Sequence, residues 1–173
     1  MEKIKNAKEE GNIFELAGLK WTVLEVTEKG YMCLAERLED TMRFGSNNDW
    51  KESSVRKYLN GEFLETRAAE VGTENIIEFD RELLSLDGQT EYGSYMDKVS
   101  LLTADEYRKC RKHISNAGYW WWLITADSTP CNGDSVWVNV VSPLGHIDCF
   151  DHVSRRGVRP VCIFSSAIFE SEE

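Results

Sequence analysis

The sequence predicts an α+β fold, and three observations carry that prediction. Apolar residues near the start alternate as in a β-meander. Two later stretches have helical spacing with capping residues in front of them. After Gly118 lysine disappears, and β-formers arrive in short runs separated by turn residues.

The meander is "FELAGLKWTVLEVTEKGYMCLAE". Trp21, Val23 and Glu25 alternate with Thr22, Leu24 and Val26, and Glu28-Lys29-Gly30 supplies a turn before Tyr31–Ala35. In "SSVRKYLNGEFLE", Val55, Tyr58, Leu59 and Phe63 fall on one helical stripe behind Ser53 or Ser54 as N-cap. Gly61 is expected to interrupt or end that helix, leaving Glu62–Glu65 as a second short turn. Ile76, Ile77 and Phe79 suit a strand, "SLDGQTEYGSY" reads as loop, and "DKVSLLT" reads as a short strand. Thr103 and Glu106 then have capping-box spacing, which predicts a helix from Ala104 to His113.

In the last third, strands are expected at Tyr119–Thr125, Ser135–Val141, Gly145–Phe150 and Val158–Phe164. The joints are Asp127–Asp134, Ser142-Pro143-Leu144-Gly145 and Asp151–Gly157. "WWWLIT" (120–125) is expected to be the central strand of that C-terminal sheet. Trp120, Trp122 and Ile124 would face one way, and Tyr119, Trp121 and Leu123 the other, with protein covering both sides. No repeat or linker divides the 173 residues, so a single domain is expected over 1–173, its core spanning about 13–164.

Charge narrows the function classes. Residues 1–118 carry 17 Lys/Arg against 23 Asp/Glu, a balance of −6, and residues 119–173 carry 3 against 7, a balance of −4. Neither part is basic, which argues against a nucleic-acid partner. No apolar run approaches membrane-spanning length, and the first residues lack the apolar core of a signal peptide, so synthesis in the cytoplasm is expected, without membrane attachment. Release within a phage particle would need no such signal. The five cysteines show no Cys-x-x-Cys spacing, so no structural zinc is expected, and buried unreactive thiols are the ordinary reading.

Six motifs carry a resemblance. "GLKWTVLEV", "VRKYLNGEFLE", "KVSLLTADEY", "WWWLIT", "VWVNVVSPLGHI" and "GVRPV" stand in the order of the bacterial and phage family of domain of unknown function 6273, over roughly residues 13–164. That family resembles the C-type-lectin-like clan, which also holds the formylglycine-generating enzymes and the variable proteins of diversity-generating retroelements. The resemblance implies a small mixed or antiparallel sheet, two main helices and a loop-rich C-terminal ligand face. Ile124 and Ala126 depart from the arginine and proline more frequent in the family.

Candidate chemistry is thin. In "GHIDCFDH", His146, Asp148, Phe150 and His152 would share a strand face, with Cys149 and Asp151 turned away; Phe150 interrupts the metal-like set. The close cysteine pair that formylglycine generation requires is missing, since Cys131 and Cys149 stand 18 apart and Cys149 and Cys162 stand 13 apart. Thr129-Pro130-Cys131-Asn132 and Trp137-Val138-Asn139 lack the carboxylates of calcium-dependent sugar binding. Arg159 beside Pro160 is expected to be structural, and His113 to close its helix.

The remaining reading is a recognition surface on the C-terminal loops. Its candidate contacts are Asp127, Ser128, Thr129, Asn132, Asp134 and Ser135, followed by Trp137 and Asn139, then His146, Asp148, Phe150, Asp151, His152 and Ser154. The expected function is a non-enzymatic module that binds a protein or glycan, with no cofactor and no metal, associated with a phage tail or diversified by a retroelement. The alternatives are a metal-dependent or formylglycine-generating-like enzyme, and an assembly protein that uses this face to form a homo-oligomer.

Overall fold

The alternating N-terminal segment closes on itself as an antiparallel meander, and the computed structural model, which describes residues 3–5 and 7–170, shows its register. Strands β1 (Ile13–Leu16), β2 (Leu19–Val26) and β3 (Tyr31–Ala35) pair in sequence, with a bulge between Val23 and Glu25. That bulge lets both Val23 and Leu24 be buried, at 0 % and 2 % exposure. Gly30 closes the β2–β3 turn at φ 154°, where a Cβ would lie 2.2 Å from the Phe164 carbonyl oxygen.

Ser53 caps α1 (Ser54–Tyr58), its Oγ accepting from the Arg56 N–H at 3.0 Å. The helix does not stop at Gly61. It runs on as a π-helical segment, Leu59–Phe63, because Val55, Leu59 and Phe63 are all fully buried and hold the coil past the glycine. Thr103 and Glu106 form the expected capping box on α2 (Ala104–Lys109), and a 3₁₀ turn, Arg111–His113, follows.

Between the helices the short strands divide. Strand β4 (Met42–Arg43) has no sequence signal and pairs with the equally unannounced β11 (Arg155–Arg156). Strand β5 (Ile76–Ile77) joins the meander sheet, while β6 (Phe79–Glu82) pairs with β7 (Ser94–Asp97). The segment "DKVSLLT" is not a strand beyond Asp97, apart from one bridge between Ser100 and Val161. Side chains replace the ladder there. Asn60 holds both main-chain groups of Val99, at 3.0 and 2.8 Å, and Arg81 Nη2 donates to the Leu101 carbonyl at 2.9 Å.

The C-terminal third supplies β8 (Trp121–Ala126), β9 (Trp137–Val141), β10 (Ile147–Asp151) and β12 (Val161–Phe164). Strand β12 inserts between β3 and β5, giving the five-stranded order β1-β2-β3-β12-β5. Strands β10-β9-β8 form a separate antiparallel sheet, so "WWWLIT" is an edge strand of that sheet and β9 is its centre. Its faces are nevertheless divided as alternation dictates. Trp122 and Ile124 enter the larger hydrophobic cluster, with Trp120 packed against it. Trp121 and Leu123 enter the cluster that includes Tyr107 and Val161, with Tyr119 at its margin. Trp122 also donates its indole N–H to the Met42 carbonyl at 2.9 Å. No helix among the described residues is long and apolar enough to cross a membrane.

Candidate functional site

The joint between β8 and β9 leaves the sheet at Asp127 and is fastened from two other parts of the chain. Asn48, fully buried, donates its side-chain amide to the carbonyls of Ser128 at 3.0 Å and Trp137 at 3.2 Å. Its Oδ1 accepts the Tyr92 phenol at 2.5 Å, and its backbone N–H reaches the Ser135 carbonyl at 3.0 Å. Burial pushes the Tyr92 phenol well up, with the charges of Asp49 and Glu91 adding to the effect, so it remains a proton donor in this network.

The second fastening comes from the polar loop before β7. Asp87 accepts from Ser128 Oγ at 2.6 Å, Ser85 Oγ at 2.5 Å and Asn132 Nδ2 at 3.0 Å. Glu91 accepts the Cys131 N–H at 2.8 Å. The hydrogen bonds from Ser128 and Ser85 hold the Asp87 carboxyl below its usual range, and those from Cys131 and Thr129 do the same for Glu91. Gly133, at φ 76°, then turns the chain out of the 3₁₀ turn Pro130–Asn132.

What this framework presents is Trp137, 45 % exposed at the start of β9, although Val138 to Val141 are all buried. Asp134 Oδ1 accepts the N–H groups of Val136 and Trp137 at 2.7 and 3.1 Å, fixing the strand entry. Across the hairpin, Asp151 pairs with Trp137, and its Oδ1 accepts from the Val153 and Ser154 N–H groups, both at 3.0 Å. Val136, which precedes Trp137, and Val153, in the turn after β10, are both solvent-exposed at this end of the hairpin. Asp127, Asp134 and Asp151 lie at this end, and among the described residues none of the three forms an ion pair. The result is an apolar anchor inside an acidic, acceptor-rich rim.

The fourteen sequence-derived candidates do not form one surface. Asn132, Asp134, Ser135, Trp137, Asp151, His152 and Ser154 gather at the Trp137 end of the hairpin with Asp127. Ser128, Thr129 and Asn139 are buried at 7 %, 0 % and 1 % exposure, which corrects their reading as contact residues. Their side chains serve the loop itself: Ser128 bonds Asp87, Thr129 meets the Cys131 thiol, and Asn139 Nδ2 donates to Asp127. His146 and Asp148 are exposed but sit toward the opposite end of β10, at the turn where Ser142 Oγ accepts the His146 N–H. Asp148 and Phe150 also occupy the sheet face opposite Trp137, because they pair with Val140 and Val138, whereas Trp137 pairs with Asp151. Phe150 packs edge-on against Trp120 at 4.9 Å and under the Arg156 guanidinium at 3.8 Å.

The metal-like string disperses for the same reasons. His152 Nδ1 is engaged by the Gly45 carbonyl at 2.7 Å, Cys149 points away from Asp148, and no group of three His, Cys, Asp or Glu residues able to hold a metal comes together among the described residues. Cys33, Cys110 and Cys162 are buried, but Cys131 is exposed and Cys149 half-buried, so the expectation of buried thiols holds for only three of the five. Burial first, then the charges of Asp127, Asp148 and Asp134, raises the Cys149 thiol above its ordinary range and keeps it protonated.

The residues missed at the sequence level are Asn48, Asp87, Tyr92, Val136 and Val153. The Asx-rich run Asn47-Asn48-Asp49 and the polar loop around Asp87 were the available signals, but neither pattern says which distant loop it binds. No family model matches the chain, and no curated protein or solved structure matches it either.

Proposed function

We propose that the protein is a non-enzymatic binding module that engages a protein or glycan partner through the Trp137 end of its C-terminal hairpin. The observation that carries this is the exposed indole at the start of an otherwise buried strand, with Val136 and Val153 also exposed at that end of the hairpin. Large aromatic groups held rigidly inside a polar rim are the common anchors of recognition surfaces. The hydrogen bonds from Asn48, Asp87, Glu91 and Asp134 support pre-organisation, since a fixed loop loses little conformational entropy on binding.

The C-type-lectin-like resemblance belongs to this reading. The six-motif order supports it, as does a last strand inserted beside the early meander with a smaller sheet carrying the loops. On that reading the module serves a phage particle or is diversified at its loops. A swap of residues 130–136 and 151–154 for unrelated loops of equal length should abolish partner binding while the core still unfolds cooperatively. Binding that survives the full swap would overturn the assignment.

A further inference from the structure

A cleft of about 430 Å³ lies away from the Trp137 end, where β1–β3 meet the chain that follows α2. Its walls include Ile13, Glu36, Lys112, His113, Tyr119 and Arg159. The chain as a whole carries a net charge of −10, yet this cleft holds Lys112 and Arg159 against one lining carboxylate, Glu36, while His113 faces Glu10 at 3.6 Å. Among the described residues neither Lys112 nor Arg159 forms an ion pair, and neither does Arg37, whose guanidinium covers the Tyr119 ring at 4.6 Å.

Arg159 is the central group. Its Nε donates to the Ala35 carbonyl at 2.9 Å and its plane lies over the Trp121 ring at 4.7 Å, which fulfils the structural role expected of it. Those contacts use one edge and one face of the guanidinium. Among the described residues, Nη1 and Nη2 donate to no protein acceptor. Burial pulls this guanidinium below its ordinary range, and Tyr119, Tyr107 and Glu36 oppose the effect. The guanidinium is half-buried, and its two terminal nitrogens face solvent at the cleft, a planar fork open to two oxygens of one anion. Glu36 is partly engaged elsewhere, since its Oε1 accepts the Lys20 N–H at 3.0 Å.

We infer that this cleft binds a small oxyanion, a carboxylate or phosphate on a metabolite-sized molecule, with Arg159 as the bidentate fork and Lys112 at the mouth. The volume suits a ligand of that size, and the planar fork matches two oxygens of one group. Tyr119 and Ile13 would cover the ligand's less polar part. The inference does not rest on the Trp137 reading and stands or falls separately from it.

The test uses the full chain labelled with ¹⁵N, titrated with sodium citrate and, separately, with inorganic phosphate, the ionic strength being held constant with sodium chloride. Saturable shifts of the Arg159 Nε–Hε signal and of the amides of residues 112–119 are expected. The anion that saturates first tells carboxylate from phosphate as the natural group. Lys112→Glu alters an exposed side chain, should leave the amide spectrum folded, and should weaken binding by about tenfold. Arg159→Lys keeps the charge but removes the fork, and should abolish saturation. If that variant does not fold, Lys112→Glu alone decides. Absent or non-saturating shifts with both anions, or equal titrations of wild type and Lys112→Glu, would overturn the inference.

Discussion

The side-chain amide of Asn48 donates to the main-chain carbonyl of Trp137 at 3.2 Å, joining residues 89 positions apart. The backbone that carries the exposed indole is thus held by a buried group from the N-terminal half of the chain. Asn48→Leu should remove both amide donations and leave the Tyr92 hydroxyl without its acceptor. A loss of about 2–4 kcal/mol is expected from several buried polar groups left unpaired. Urea unfolding checks it: the midpoint should fall with an unchanged slope.

Trp122 and Trp137 make a matched pair of opposites. Trp122 is fully buried and hydrogen-bonded, so Trp122→Ala should cost about 3–5 kcal/mol. Trp137→Ala removes a half-exposed ring and should cost less than about 1 kcal/mol. Thermal unfolding of the two variants side by side measures the difference. A large loss from Trp137→Ala would mean that its indole is scaffold.

Arg81 is buried at 2 % exposure and pairs with Glu106 through both terminal nitrogens, at 3.0 and 2.5 Å. Although burial pushes the Glu106 carboxyl up, the hydrogen bonds and charge of Arg81 hold it lower on balance. Arg81→Ala removes the charged partner of that carboxylate, which keeps only the Thr103 N–H, and leaves the Leu101 carbonyl to Ser100 Oγ alone, with an expected cost of about 3–5 kcal/mol. Arg81→Ala combined with Glu106→Gln should cost less than the sum of the single changes, as a double-mutant cycle would show.

The loop fastening should fail in acid. Folded Asp87 and Glu91 titrate below their ordinary values of 3.8 and 4.5, so their contribution is fully present above those values. As pH falls from there through the lowered folded values, the unfolded chain takes up protons first and the contribution is lost. Amide exchange of Ser128, Thr129, Cys131 and Asn132 should therefore accelerate, relative to the core, as pH drops below about 4. Asp87→Asn should remove most of the Asp87 share of that acid sensitivity.

Features set by neighbouring residues were legible in the sequence. The Thr103–Glu106 capping box, the Ser53 cap and the division of "WWWLIT" between two faces all follow from spacings of one to three residues. Features set by distant partners were not. Alternation gives the faces of β8 but not its neighbours, so its edge position stayed hidden. Gly61 reads as a breaker, yet the burial of Leu59 and Phe63 carries the helix through it. In the candidate site, Trp137 was legible as an aromatic among polar loops. The burial of Ser128, Thr129 and Asn139 was not, because Asp87 and Asn48 approach from positions that no local pattern connects to them.

The most direct test of the Trp137 end is a binding screen with a subtraction control. The immobilised wild-type protein and its Trp137→Ala/Val153→Ser variant are each probed with a glycan array and a displayed peptide library, and retained ligands are titrated. Ligands that bind the wild type and lose at least about tenfold affinity on the variant, with the unfolding midpoint unchanged, are the predicted result. A screen that yields no ligand, or ligands that bind both proteins equally, would contradict it.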